Sequence, residues 1–315
     1  MKCLVSGGAG FIGSHLCDKL IDEGHDVLCV DNLLTGSIKN IKHLKGNPHF
    51  SFLKHDVIKP LPQTLKAQAI FHLASPASPN HESPLSYMKY PVETLLVNSV
   101  GTKNLLDVSF RNKSKFLFAS TSEIYGNPVV HPQPETYWGN VNPVGPRSCY
   151  DEGKRFGESL TMVYLREFSV DVRITRIFNT YGPRMDPNDG RVVVNFIRQA
   201  LEGKPLTVYG DGKQTRSFCY VDDLVRGLIL AMFSANTTGK IINFGGPEDY
   251  PIIEIAMMVK KMTGTKSRIT FSALPEDDPE RRKPDITYAK KILKWSPKIP
   301  LSLGLKKTIT YMKIL

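Results

Sequence analysis

Six short apolar runs punctuate the first 180 residues: "KCLVS" (2–6), "DVLCVD" (26–31), "FSFLKH" (50–55), "AIFHLA" (69–74), "KFLFAS" (115–120) and "VDVRITRI" (170–177). Each is too short for a helix and is bounded by polar or turn residues, so each predicts a strand. Runs as continuous as Phe116, Leu117 and Phe118 suit strands buried on both faces. Between several of them, apolar residues recur every three or four positions, as in "GSHLCDKLIDEG" and "PVETLLVNSVGTKNLLDVSF". These stretches predict helices, and the alternation predicts an α/β chain built on a doubly wound parallel sheet.

After "FNTYGPR" the pattern loosens. The Pro/Asn/Asp/Gly-rich "YGPRMDPNDGR" leads to a predicted helix at 192–202, a short strand "LTVYG", and a mixed C-terminal stretch that includes "FSALPEDDPERRKPDITYAKK". The expected organisation is a nucleotide-binding domain over 1–180 with a returning segment at 217–246. A smaller substrate lobe takes 181–216 and 247–315, at the carboxyl edge of the sheet, where ligands of open α/β sheets bind. There is no internal repeat and no low-complexity tract.

"VSGGAGFIGSHL" places Gly7, Gly10 and Gly13 between the first strand and the first helix. One glycine serves a tight turn, one the close approach of a pyrophosphate, and one helix–strand packing. The N–H groups at the helix start then face the phosphates. Glycines alone are weak evidence, but Asp31 follows Gly13 by eighteen residues and ends the second strand. It can accept hydrogen bonds from an adenosine ribose and would repel a 2′-phosphate. Asn32 and Leu33 supply no arginine for such a phosphate, so the pattern favours NAD over NADP and a Rossmann-type fold. Asp56 and Val57, at the end of the next strand, fall where an adenine edge would lie.

"SCYDEGKRFGES" holds Tyr150 and Lys154, four residues apart and so on one helical face. A phenol ionises near pH 10, too high for an efficient base at neutral pH. A neighbouring ammonium and a cationic nicotinamide would lower that value. The pair recurs by chance; downstream of a dinucleotide loop it points to a short-chain dehydrogenase/reductase site.

Composition narrows the remaining classes. The 315 residues are 41% hydrophobic and 23% charged, and no apolar run approaches the roughly 18 residues of a membrane span. The opening "MKCLVSGGAG" leaves no room for a signal peptide, so a cytoplasmic location is expected. Five scattered cysteines without a CxxC predict free thiols, and eight histidines, none in HxxH spacing, argue against a metal. The net charge of +11 allows nucleic acid as a partner. However, the basic residues are dispersed and no aromatic-rich basic module is legible, so no nucleic-acid partner is expected.

The motifs "GGAGFIGSHL", "HLASPAS", "ASTSEIYG", "HPQPETYWGNVNPVGPRSCYDEGKR", "RIFNTYGPRM", "NDGRVVVNFI", "PLTVYGDGKQTRSFCYVDDL" and "DDPERRKPDI" span nearly the whole chain. Through them the sequence resembles the extended short-chain dehydrogenases/reductases that modify nucleotide sugars, and most of all the UDP-glucuronate decarboxylase branch. The resemblance implies Thr121 and Tyr150 at the sugar C4 hydroxyl, with Lys154 lowering the phenol's pKa and holding the nicotinamide ribose, and Ser122 and Glu123 assisting near C5. The related 4,6-dehydratases carry an Asp at the position of Ser122. It implies Arg282 at the sugar carboxylate, a group that an arginine fork suits. It also implies Asn179, Arg191 and Arg216 on the nucleotide, with Arg216 on the diphosphate and Tyr209 flanking the uracil. It adds Phe11, Ile12, Leu73, Ala74, Ser75 and Asn98 to the NAD contacts, and a homodimer formed through four helices from the stretches around 91–110 and 150–168.

The expected activity is NAD-dependent decarboxylation of UDP-glucuronate to UDP-xylose through a 4-keto sugar, with internal return of the hydride. A 4-epimerase or 4,6-dehydratase is the alternative; Ser122 speaks against dehydration and Arg282 for a carboxylate. A non-catalytic basic Rossmann protein that binds RNA or senses redox state is the remote one, since binding needs none of Thr121, Glu123, Tyr150 and Lys154. One region departs from the resemblance: "PNHESPLSYMKY" (79–90) is several residues longer than the usual segment.

Overall fold

The computed structural model describes residues 1–315. The first half runs β1 (Lys2–Ser6), α1 (Phe11–Asp22), β2 (Asp26–Asp31), β3 (Phe50–Lys54), β4 (Ala69–His72), α2 (Pro91–Leu96), α3 (Thr102–Asn112), β5 (Lys115–Thr121), α4 (Ser148–Phe168) and β6 (Val172–Ile177). The second half runs β7 (Thr180–Tyr181), α5 (Val192–Leu201), β8 (Leu206–Tyr209), β9 (Thr215–Ser217), β10 (Cys219–Tyr220), α6 (Val221–Phe233), β11 (Ile241–Phe244), β12 (Asp249–Pro251), α7 (Ile252–Thr263), β13 (Ile269–Ser272), β14 (Arg281–Arg282), α8 (Thr287–Leu293) and α9 (Leu301–Met312).

Seven strands form one parallel sheet in the order β11-β6-β5-β4-β1-β2-β3. The strand order reverses at β1 and β4, so the chain leaves the sheet in opposite directions there and opens a crevice at their carboxyl ends. Period-2 alternation feeds two cores. Cys3, Val5, Phe71 and Leu117 face one side with Leu16 and Leu20 of α1 and Leu224 and Leu228 of α6. Leu4, Ile70, Phe116 and Phe118 face the other with Leu105, Leu106 and Tyr164 from α3 and α4. The first core continues into Phe196, Val208, Ile255 and Leu305, which joins the small β8–β13 and β12–β9–β14 sheets to the same packed body.

The strands anticipated at 69–74 and 170–177 are shorter, ending at His72 and beginning at Val172. Residues 73 and 74 leave the ladder where the sheet opens into the crevice. The stretch at 91–110 is not one regular helix: a π-helical turn at Val97–Gly101 separates α2 from α3. The wider turn accommodates Asn98 on the inner face, where its amide donates to Ser75 Oγ (3.0 Å) and Thr94 O (2.8 Å). No helix is long and apolar enough to cross a membrane.

Candidate active site

The crevice is a cleft of about 550 Å³ lined by the ends of β1, β2, β4 and β5. Gly7 follows β1 with φ +75°, and a side chain there would bring its Cβ to 2.7 Å from the Ala74 nitrogen. Only glycine permits that backbone angle and that approach. A Cβ on Gly13 would strike the Gly7 carbonyl oxygen, so α1 packs directly on the turn. Gly10 caps α1 without a side-chain bond, leaving the first N–H groups of the helix, at Phe11, Ile12 and Gly13, directed at the cleft they line.

Asp31 ends β2 and is buried, accepting hydrogen bonds from Ala9 N (3.0 Å) and Leu33 N (2.8 Å). Burial raises its carboxyl pKa, and the two N–H groups oppose that. Any Cβ on Gly36 would stand 2.9 Å from Asp31 Oδ1, so that oxygen keeps an open side. A glycine turn with free helix N–H groups, followed by a buried acceptor with an open edge, fits a dinucleotide's pyrophosphate and ribose. Asn32, Asp56, Val57, Leu73, Ala74 and Ser75 line the same cleft. Asp56 and Val57 lie in the turn past β3 rather than at its end. Asn98 does not reach the cleft; it is buried behind Ser75 and holds that hydroxyl.

The sheet delivers Thr121 as the last residue of β5, and a 3₁₀ turn, Ser122–Tyr125, carries the chain away. The Thr121 hydroxyl accepts from the Glu123 N–H at 3.2 Å, starting that turn. Tyr150 and Lys154 project from the first turns of α4 into the same cleft, beside Thr121, Ser122 and Glu123. The Lys154 ammonium donates to Ala119 O at 2.7 Å and stands 5.8 Å from the centre of the Tyr150 ring. Burial pushes the Tyr150 phenol well above its ordinary range, and the Thr121 hydroxyl works against that. Burial likewise lowers Lys154 to about 7, while Glu158 pulls it up. The sequence pattern predicts a phenol depressed by its lysine; within the protein alone, desolvation outweighs that pull on both groups.

Beyond Thr121 lies a second, connecting cavity of about 150 Å³, walled by Asn179, Arg191, Tyr209, Arg216 and Arg282 together with Glu123. The guanidinium of Arg282 is buried against Glu123, with one short bond to Oε1 and a second to Oε2 at 3.1 Å. Arg147 closes on Glu123 from the other side with a short bond to Oε2 and reaches Asp278 at 3.1 Å. Burial alone would raise the Glu123 pKa, but Arg147 and Arg282 outweigh it and hold the carboxyl at about 2. Arg216 pairs with Asp278 at 2.8 Å, and Arg191 forks onto Asp189 at 2.6 and 2.7 Å. Asn179 keeps a buried amide nitrogen with no partner, a donor still to be used.

All six catalytic candidates therefore meet at the mouth of β5, and the five substrate candidates share the adjoining cavity. Arg282 differs from expectation in its neighbour: its fork already grips Glu123. Two participants are absent from the sequence reading. Arg147 sits three residues before Tyr150 inside a quoted motif, and Asp278 is the second residue of the "DDP" motif. A run of charges reads as solvated unless the pairing is known. Here Arg282 lies in register with Arg216 through the parallel β14–β9 pair, a neighbourhood no local pattern reveals.

The family model described as "NAD dependent epimerase/dehydratase family" matches residues 3–245. The chain belongs to this family. UDP-glucuronic acid decarboxylase 1 of Xenopus tropicalis is 50% identical over 312 residues, covering 99% of this chain and 72% of that protein. UDP-glucuronic acid decarboxylase 4 of Arabidopsis thaliana is 52% identical over 305 residues, covering 97% and 67%. Among solved structures, UDP-glucuronic acid 4-epimerase from Bacillus cereus, in complex with UDP-glucuronic acid and NAD, superposes with a TM-score of 0.88. It is 33% identical, over 100% of this chain and 99% of that one.

Proposed function

We propose that the protein decarboxylates UDP-glucuronate to UDP-xylose in an NAD-dependent cycle. The observation that carries this reading is the meeting, at the mouth of β5, of Thr121, Tyr150 and Lys154 with a glutamate held ionised by two buried arginines. It occurs in a chain half identical to UDP-glucuronic acid decarboxylases over nearly its full length. The glycine turn, the α1 N–H groups and Asp31 would hold the dinucleotide, and Lys154 its nicotinamide ribose.

Thr121 orients the sugar C4 hydroxyl and Tyr150 takes its proton as C4 is oxidised. Bound NAD supplies the hydride acceptor and donor at C4, and a positive charge that stabilises the Tyr150 phenolate. With a carbonyl at C4, the glucuronate is a β-keto acid, and CO2 leaves with its bonding electrons held as an enolate. Solvent protonates C5, and Tyr150 returns its proton to the C4 oxygen as C4 is reduced. Held at a pKa of about 2, Glu123 is an acceptor at neutral pH. It orients a water or a sugar hydroxyl near C5 rather than donating a proton of its own, with Ser122 beside it.

Asn179, Arg191 and Arg216 would bind the nucleotide, Arg216 at the diphosphate, and Tyr209 would flank the uracil, each bordering the second cavity. We read 1–180 with 217–246 as the nucleotide-binding part, supported by the return of α6 and β11 to the main sheet. Residues 181–216 and 247–315 form the substrate part. A homodimer is supported by Val92, Leu95, Leu96, Val100, Phe110, Phe156 and Phe168, all large, exposed and apolar on α2, the π turn, α3 and α4. The activity is tested with UDP-glucuronate carrying ¹³C at C6: labelled CO2 is expected. Label retained in a sugar merely inverted at C4 would replace the decarboxylase reading with an epimerase.

A further inference from the structure

The 79–90 segment, several residues longer than the resemblance implies, ends beside the reacting centre. Tyr87 within it is fully buried, and its ring lies flat on the ring of Tyr150, with centroids 4.8 Å apart and planes 4° from parallel. The loop leading to Tyr87 is anchored at several points. Tyr87 N donates to Ser78 O at 3.1 Å, and residues 78 and 86 pair through a β-bridge. Ser78 donates to Asp189 O, and Ser83 to Asn188 O at 2.5 Å. Asn80 fills the space over Gly190, where any Cβ would stand 2.6 Å from its amide nitrogen. The same loop thus grips the segment that carries Arg191 and sets the face of Tyr150.

We propose that Tyr87 is a positioning residue of the reaction: its ring fixes the plane of the Tyr150 phenol and keeps water off one face of it. This rests on the reading that Tyr150 takes the C4 proton. The role proposed is that of the ring, since the Tyr87 hydroxyl makes no hydrogen bond to Tyr150 or to any other protein group. Offset or parallel aromatic pairs restrict each other's rotation and contribute beyond their buried area. A flat partner on one face hinders the Tyr150 ring from swinging toward that side. The charged or titratable groups that face Tyr150 are Glu123 from the end of β5, Asp151 and Lys154 from α4, and Arg191 at the start of α5. Of these, Lys154 stands over the ring, its ammonium 5.8 Å from the ring centre; the flat aromatic contact comes from Tyr87.

The test compares Tyr87→Phe with Tyr87→Leu in the full chain. The phenylalanine variant keeps the stack and is expected within about twofold of wild-type kcat. Tyr87→Leu is expected to lower kcat by roughly 10- to 100-fold with KM little changed, the size of effect a small misplacement of a reacting group produces. If the leucine variant does not fold, Tyr87→Met, which fills similar volume without a ring, makes the same comparison. A second readout needs no turnover: NMR of proteins labelled at the tyrosine ζ-carbon, with Tyr150→Phe identifying the Tyr150 signal. In wild type and Tyr87→Phe, Tyr150 is expected to stay neutral through the pH range in which exposed tyrosines ionise. In the leucine or methionine variant it is expected to ionise earlier, because water reaches it. A folded leucine or methionine variant with wild-type kcat and wild-type Tyr150 titration would overturn the proposal, as would a phenylalanine variant equally impaired. Failure of the wild type to consume UDP-glucuronate would instead sink the functional reading, and the titration would still decide the role of Tyr87.

Discussion

Glu123 stands at the mouth of a buried strand, and two guanidinium groups make that placement stable: Arg147 and Arg282 supply the hydrogen bonds and charge that desolvation removes. Removing one partner leaves a buried charge half compensated, which typically costs about 3–5 kcal/mol. Arg282→Met is therefore expected to lower stability by that order and to abolish decarboxylation, while Glu123→Gln in the same chain recovers part of the stability; chemical denaturation of wild type and the two variants measures the stabilities, and carbon dioxide release the activity. Asp151, one residue past Tyr150, carries the opposite strain. Burial and the nearby Glu123 raise its carboxyl from 3.8 to about 8. Because its folded pKa exceeds the unfolded one, the protein loses stability as pH rises from about 4 to about 8. Asp151→Asn is expected to gain on wild type steadily over that window, read from denaturant midpoints at several pH values; a constant difference would contradict it. Tyr150→Phe is expected to lower kcat by about 10²–10⁴, the usual contribution of a positioned acid–base group, with NAD affinity retained in calorimetry. At this scale Tyr150, Lys154, Thr121 and Glu123 were legible because they fall in short local motifs. Arg147, Asp278 and Tyr87 were not, because their roles come from partners that the chain brings together only on folding.

Between residues and molecule, the elements explain why the cofactor cleft read so clearly. Glycine spacing, a strand before it and a helix after it are all local, and the structure differs from the predicted bounds by no more than two residues at each of the six anticipated strands, while β11 lies within the returning segment without predicted bounds of its own. Gly13→Ala would press a methyl group on the Gly7 carbonyl and displace α1 from the turn. The expected outcome is loss of NAD binding in calorimetry with the far-ultraviolet spectrum preserved. The π turn at Val97–Gly101 escaped the pattern, since apolar spacing does not distinguish a helix with one residue too many from a regular one. The β14–β9 pairing escaped it too. Its two-residue strand places Arg282 beside Arg216 across 66 positions of sequence, and a pair that short has no periodicity to detect.

For the whole molecule, the seven-stranded sheet buries both its faces, so the reacting groups can only emerge at its carboxyl edge, and the lobe that packs on the same core encloses them. The exposed apolar side chains on α2, α3 and α4 lie on the helices that form the back of the Tyr150 site, so subunit pairing and site rigidity are expected to be linked. Leu95→Glu with Phe156→Glu should convert a sedimenting dimer to monomer; a wild-type monomer would contradict the pairing. The proposed reaction is a closed cycle in which carbon dioxide leaves and the hydride taken from C4 returns to C4. The most direct test is conversion of UDP-glucuronate by the purified protein with NAD in deuterium oxide, with NMR of the sugar product. UDP-xylose bearing deuterium at C5, with hydrogen retained at C4 and no net NADH, is the expected product. A 4-keto pentose with accumulating NADH, or UDP-glucuronate left with its carboxylate intact, would contradict the cycle.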